Sequence, residues 1–332
     1  MASASASVAS TPAGPAVTGR SRLPWRSAVA AGVVVTLVRP ATWVVALAGF
    51  LAGGGVIALA WPIVVLPTPS GIQNLLGAPV STLAFGNPSP ELIRVAVVSG
   101  VTLAALFVAG LLTGAWAERR GIVLVLDGAA EEGYTAPPPR VAESPGPGAP
   151  GLVRIALIRV FALVPPLAAF AIGWPTLYSV VYKELILPED LATPLPVRVI
   201  AQVPLLLAAI IGSWLLADAA AAVGVRRLVI ERRGVLRAWA LGWADLVRRP
   251  HRIIPVALLG DLALVITAGP ALVAAALAWV RVREALELGG GPLVGVAIVA
   301  VWVAIWLGAV VLAGVAAAVR AALFTLEGAR RR

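Results

Sequence analysis

Apolar residues along the chain are gathered into six long stretches, separated by polar, proline-rich or arginine-rich segments. The stretches cover residues 41–65, 95–117, 160–182, 199–225, 253–280 and 293–319. Crossing the roughly 30 Å hydrocarbon layer of a bilayer takes about 20 helical residues, so each stretch is long enough to span a membrane. Because a backbone in lipid must satisfy its own hydrogen bonds, we expect continuous helices. The pattern predicts an all-α, polytopic membrane protein with six transmembrane helices.

The six stretches form three successive units of similar layout. Each unit begins with a short apolar segment that ends at a proline, and a hairpin of two spans follows. Residues 37–40 (Leu-Val-Arg-Pro) in the first unit recur as residues 246–250 (Leu-Val-Arg-Arg-Pro) in the third. We therefore predict three transmembrane hairpins, each with an interfacial amphipathic lead-in helix. The units comprise 27–126, 152–234 and 235–332, with a disordered cytoplasmic tail at 1–26 and a Pro- and Gly-rich cytoplasmic linker at 127–151.

The lead-in segment of the third unit has a clear apolar face. Its apolar side chains recur at helical spacing, at Leu236, Trp239, Ala240, Trp243, Leu246 and Val247. Such a helix with flanking arginines is typical of the membrane–water interface, and the proline that follows forces a bend. The alternative is a docking helix for a cytoplasmic partner. That helix would use Trp239, Trp243, Arg237, Arg248 and Arg249.

This layout resembles a known membrane region. Three hairpins with amphipathic lead-in helices and a Leu-x-x-Arg-Pro-type elbow are similar to the membrane domain of bacterial glycerophosphodiester phosphodiesterases and of related bacterial multi-pass membrane proteins. The resemblance covers residues 27–328. It implies the membrane fold alone, because the phosphodiesterase catalytic domain has no counterpart in this sequence. No functional residue is implied by it.

Charge adds an orientation to this picture. Of 26 basic residues, 21 lie in the N-terminal segment, the second and fourth connections and the C-terminal segment. The positive-inside rule therefore predicts an inner-membrane protein with both termini in the cytoplasm. The same rule accounts for the net charge of +10 without a nucleic-acid partner. The absence of Cys and the single His exclude disulfides and multi-His metal sites, and we expect no cofactor and no metal.

Two acidic residues lie inside apolar spans, and they are where we expect a site. Asp218 is eight residues before Arg226, and Asp261 is nine residues after Arg252, so both are about 12–13 Å inside the same membrane boundary. An acid at this depth is costly and indicates function by default. One interpretation is a facing pair that handles protons or cations, with Ser213 nearby. The other is a polar tie, in which each Asp accepts hydrogen bonds from Ser213, Thr113 or Thr267, or reaches an arginine.

These features favour a non-catalytic scaffold or accessory subunit of a larger membrane assembly, in contact with the lipid bilayer and with a protein partner or a second copy. One alternative is a transporter permease, for example the membrane subunit of an ABC-type exporter that binds a cytoplasmic ATPase. A second alternative is a membrane-embedded lipid-handling protein.

Overall fold

The computed structural model describes residues 25–64, 88–134, 151–186, 193–287 and 292–329. All regular secondary structure in these ranges is helical, and six of the helical segments are long and apolar enough to cross a membrane. The predicted all-α fold is thus confirmed. The helices are α1 (Trp25–Val38), α2 (Pro40–Phe50), α3 (Val56–Ala60), α4 (Pro90–Glu131), α5 (Leu152–Ala162), α6 (Val164–Ile186), α7 (Leu195–Gln202), α8 (Pro204–Glu231), α9 (Val235–Arg248), α10 (Pro250–Glu287) and α11 (Pro292–Ala329).

The three predicted lead-in segments form the short helices α1, α5 and α9. One residue separates each of them from the long helix that follows: Arg39, Leu163 and Arg249. A proline starts α2 and α10, and Pro165 is the second residue of α6. Because proline disfavours helical backbone at the residue before it, Arg39 and Arg249 leave the helical conformation, with φ/ψ of −118°/87° and −137°/51°. Leu163 keeps helical backbone angles, so the second break is slight.

Two of the predicted spans are not continuous helices, and this part of the prediction was wrong. The first span contains a π-helical turn at Leu51–Gly55 between α2 and α3, where Gly54 has a φ of 98°. Glycine adopts this left-handed backbone without steric cost, and three glycines stand here in succession. The predicted span at 199–225 is divided at Val203, between α7 and α8, because Pro204 begins a new helix.

The second spans of the three units are longer than the predicted boundaries. Helix α4 has 42 residues and is about 63 Å long, twice the thickness of the hydrocarbon layer. Its last five residues enter the predicted linker, where Gly128 and Ala129 are buried. The rest of that linker, residues 135–150, and most of the predicted tail, residues 1–24, lie outside the described ranges.

The densest packing lies at the end of the bundle where α4, α8 and α11 finish, which we call the basic end. These three helices contact one another there, and their buried residues are mostly alanine and valine. The lead-in helices surround them: α1 packs on α4 and α11, α5 on α4 and α8, and α9 along α8. Small side chains let the three backbones approach closely. The basic end therefore forms a compact protein core of its own.

The opposite halves of the spans are far more exposed. Residues 93–109 of α4 are all exposed, on every face of the helix. Helix α6 packs on α7 and α8, with a shorter contact to α5, and it makes no extensive contact with the other described helices. Helices α10 and α11 form a second pair, which α2 joins. Lipid, or a protein in the membrane, must cover these apolar surfaces.

Helices α8 and α9 cross at two glycines. A Cβ on Gly242 would lie 2.2 Å from the carbonyl oxygen of Ala220, and a Cβ on Gly224 would lie 3.1 Å from that of Ala238. Both obstacles are backbone atoms, which cannot rotate away as a side chain can. The close crossing therefore requires that position 242 has no side chain.

We predict that Gly242→Ala separates α8 from α9 and lowers the free energy of unfolding by about 1–3 kcal/mol, the usual cost of overpacking. Unfolding in SDS, followed by circular dichroism, measures this change. Gly212→Ala on α8 is the matched control, because a Cβ there meets no atom within 4 Å. Equal stability of Gly242→Ala and the control would refute the close crossing.

Candidate functional site

Six ionisable side chains meet at the basic end, and we call them the charge network. They come from five helices: Glu118 from α4, Arg159 from α5, Asp218 and Arg226 from α8, Asp261 from α10 and Arg320 from α11. The packing of α4, α8 and α11 places three of the contributing helices side by side, and α5 lies across the gap between α4 and α8. The network therefore connects residues from all three sequence units.

Arg159 joins α4 to α8. Its Nε donates to Oε2 of Glu118 at 2.9 Å and its Nη2 to Oε1 of the same carboxylate at 2.5 Å, a two-point contact. Its remaining Nη1 donates to Oδ1 of Asp218. The planar guanidinium matches the carboxylate in this way, which a lysine ammonium cannot reproduce.

Arg320 joins the two intramembrane acids. Its Nη2 donates to Oδ2 of Asp218 at 2.5 Å, and its Nε donates to Oδ1 of Asp261 at 2.8 Å. Asp218 thus lies between two arginines, one on each of its oxygens. In one interpretation of the sequence the two acids face each other, and the structure places the Arg320 guanidinium between them.

Arg226 is the most buried arginine of the network and binds Glu118. It is only 5% exposed, and its Nη1 donates both to Glu118 at 3.1 Å and to the carbonyl oxygen of Ala222 at 2.9 Å. Two guanidinium groups lie over the ring of Phe324, with Cζ of Arg226 5.5 Å and Cζ of Arg320 5.4 Å from the ring centroid. A ring face attracts cations, so contact with Phe324 favours each of the two guanidinium groups.

The network is balanced, with three carboxylates and three guanidinium groups. Removing an ion from water costs several kcal/mol, and this cost is recovered only when the charges are paired and hydrogen-bonded. Each acid of the network contacts at least one arginine, and Glu118 and Asp218 contact two each. The arrangement can hold helices together. Asp261 is the most exposed member, at 35% of its side chain, and it has a single arginine partner in the network.

The hydroxyl groups near the two acids are engaged elsewhere. Ser213 donates to the carbonyl oxygen of Ile210 at 2.9 Å, and Thr267 donates to that of Ala263 at 2.7 Å. Both bonds are internal to the helix. A polar tie was expected to use either a hydroxyl group or an arginine. The structure shows the contact with an arginine, and Ser213 does not bind Asp218.

Helix α9 is partly buried rather than free on all sides. Trp239 and Trp243 pack against the core of the basic end, and Trp239 lies 5.8 Å from the ring of Phe161. Arg237, Arg248 and Arg249 are exposed. The centre of the buried face is Ala238, Gly242 and Asp245, and Asp245 accepts two hydrogen bonds from Arg227, at 2.7 and 2.9 Å. Leu236 and Val247 of the predicted apolar face remain exposed beside that contact.

Sequence reasoning identified the two aspartates and missed their partners. Arg159, Arg226 and Arg320 lie in basic segments whose charge the topology already explains, so nothing singled them out. One signal was present: Arg159 stands between Ile158 and Val160 in a largely apolar helix, where an acid partner is favourable. The structure shows what the sequence did not, that Gly260 faces Arg320, because a Cβ there would lie 2.4 Å from Cγ of Arg320. This glycine leaves room for the arginine to pass across α10.

Within the described ranges, no group of three His, Asp or Glu side chains is placed to hold a metal ion. No protein-family model, no curated protein and no solved structure matches the chain. The resemblance to the phosphodiesterase membrane domain therefore stays a prediction. The class that the structure defines is a multi-pass membrane protein with six apolar spanning helices.

We predict that Gly260→Leu displaces the Arg320 side chain and breaks both of its ion pairs. Breaking a buried ion pair costs about 3–5 kcal/mol, and the partial exposure of this site makes that range an upper bound. Unfolding in SDS measures the loss. Gly269→Leu on the same helix is the control, since a Cβ at Gly269 meets no atom within 4 Å.

A second substitution separates this effect from simple overpacking. Asp261→Asn should destabilise the wild-type protein and should cost little more in the Gly260→Leu background, because Arg320 has already left Asp261. If Asp261→Asn costs the same in both backgrounds, Gly260 does not act through Arg320.

Proposed function

We propose that the chain is a non-catalytic scaffold, an accessory subunit of a larger assembly in a bacterial inner membrane. In this proposal the basic end faces the cytoplasm, as the 21 of 26 basic residues in the termini and even-numbered connections favour. The exposed halves of the spans are the surfaces that receive a partner within the bilayer.

The charge network supports a structural role for the intramembrane acids. Asp218 is 20% exposed and forms ion pairs with two arginines, Arg159 and Arg320. A relay for protons or cations needs an acid that exchanges its partner during each cycle. Asp218 could do so only by releasing Arg159 or Arg320, and those contacts hold α5 and α11 against α8.

The observation that carries the proposal is the exposure of α4. Its residues 93–109 have exposed side chains on every face, over about 24 Å of helix. In a protein that worked alone, we would expect at least one face of a spanning helix to pack on its neighbours along its whole length. Instead, among the described residues, only the second half of α4 is packed, against α1, α2, α5, α8 and α11 and against the π-helical turn.

The exposed part of α4 also has the composition of a helix–helix contact. Ala96, Gly100 and Ala104 recur every four residues and lie along one side of the helix. A Cβ on Gly100 would meet no atom within 4 Å, so no described part of the chain occupies this side. Small residues at this spacing let a second transmembrane helix approach closely. The occupant we propose is a transmembrane helix of a partner protein.

One observation favours the permease as a second candidate. Asp261 keeps about a third of its side chain exposed inside a span, and Pro255 and Pro270 lie on either side of it in α10. Helices with prolines and partly exposed acids line transport sites in some carriers. In that case Asp261→Asn would abolish a flux while the protein stays folded. If the protein is a scaffold, Asp261→Asn would lower its stability and would change no flux.

We predict that the double variant Gly100→Leu/Ala104→Leu loses the membrane protein that co-purifies with the wild type in mild detergent. The two leucines would fill the side of α4 where the partner helix lies. Quantitative mass spectrometry of the purified assembly measures the ratio of partner to chain. Gly269→Leu, on an open side of α10, should leave the ratio unchanged.

Two differently tagged copies of the chain distinguish the kinds of partner. If the second tag is recovered in equal amount and no other protein is, the occupant is another copy and the protein is a homo-oligomer. If the wild type purifies as a monomer with lipid only, the scaffold proposal is wrong. An ATPase retained by both the wild type and the α4 variant would favour the permease.

A further inference from the structure

The elbow between α9 and α10 carries an exposed cluster of basic side chains. Arg248, Arg249, His251 and Arg252 stand within five residues and are all exposed. None of the three arginines has an ion-pair partner among the described residues. Arg159, Arg226, Arg227 and Arg320, by contrast, are all paired with acids. This cluster, which we call the basic elbow, is therefore a concentration of uncompensated positive charge.

The other two elbows lack this feature. At the first, Arg39 is paired with Glu131 at the end of α4. At the second, around Leu163, the nearby Arg159 belongs to the charge network. Topology requires positive charge at this end of the bundle, but it does not require three unpaired arginines at one elbow. The basic elbow is therefore the elbow whose charge leaves room for an anionic ligand.

An exposed apolar strip begins directly above the basic elbow. Ile254, Leu258, Leu262 and Val265 follow one another on the face of α10 that begins at His251, and all four are exposed. From Ile254 to Val265 the strip is about 16 Å long. On the other side of the elbow, Val247 of α9 is 75% exposed. Positive charge is thus joined to an apolar track that runs along a spanning helix.

We propose that the basic elbow binds the headgroup of an anionic phospholipid, with an acyl chain along the α10 strip. The phosphate accepts hydrogen bonds from Arg248 and Arg252, and the positive end of the α10 dipole lies at the same place. The strip offers a contact surface for an acyl chain, which neither a free phosphate nor a nucleic acid has. The inference is independent of the proposed scaffold function, since it concerns a different face and a different ligand.

The test compares lipid binding by two variants with the same loss of charge. Arg248→Gln/Arg252→Gln removes two arginines from the elbow. Arg94→Gln/Arg283→Gln removes two exposed arginines from the opposite end of the bundle. Binding of phosphatidylglycerol to the detergent-purified full chain is titrated by native mass spectrometry, with phosphatidylcholine as the zwitterionic probe.

We expect the elbow variant to bind phosphatidylglycerol roughly thirtyfold more weakly than the wild type, from two arginine contacts at the membrane surface. The opposite-end variant should bind like the wild type. Phosphatidylcholine should bind weakly and equally to all three proteins. Leu258→Asn/Leu262→Asn should also weaken the binding of phosphatidylglycerol, because it removes apolar side chains that contact the acyl chain.

Four results would overturn the proposal. The first is an equal loss of phosphatidylglycerol affinity in both arginine variants. The second is equal binding of the two lipids to the wild type, and the third is an unchanged phosphatidylglycerol affinity in the leucine variant. The fourth concerns the source of the anion. Inorganic phosphate or a short RNA that competes with phosphatidylglycerol at similar concentration would show that the elbow recognises anions without a lipid chain.

Discussion

The rest of the structure depends on the two arginines that hold Asp218. Arg159 brings α5 to α8, Arg320 brings α11 to α8, and each of these arginines also binds a second acid on a further helix. A carboxylate within an apolar span is unfavourable unless it is paired, and an arginine without an acid is equally unfavourable there. The helices must therefore assemble in the one arrangement that satisfies all six charges. Charge pairing supplies a specificity that the uniform Ala, Val and Leu surfaces lack.

Small residues make this arrangement sterically accessible. Gly260 leaves the path by which Arg320 reaches Asp261, and Gly224 and Gly242 let α8 and α9 cross at backbone contact. In membranes, helices gain little from burying apolar surface, so close packing and polar contacts must provide the stability. This explains the division of the molecule. Protein contacts hold the basic end, whereas lipid or a partner covers the opposite halves of the spans.

Much of the fold could be predicted from the sequence, because its signals are local. The length of an apolar run predicts a span, and Pro40, Pro165 and Pro250 mark the elbows. Asp218 and Asp261 stood out for the same reason, as charges in apolar surroundings. Their partners could not be predicted, because pairing Asp218 with Arg159 and Arg320 depends on how three distant segments pack. Pro204 and the three glycines around Gly54 stand at the break at Val203 and at the π-helical turn, but proline and glycine also occur in unbroken membrane helices, so the sequence alone did not predict the breaks.

The packed basic end also determines which surfaces the spans present to the bilayer. Its spans are fixed relative to one another at one end, while α4 and α10 present different surfaces to the bilayer. The most direct test of this view is the coupling free energy between Asp218 and Arg320, from a double-mutant cycle of Asp218→Asn and Arg320→Gln in SDS unfolding. A coupling of about 1 kcal/mol or more is expected for residues in one ion-pair network. Additive effects of the two substitutions would contradict the central role of the charge network.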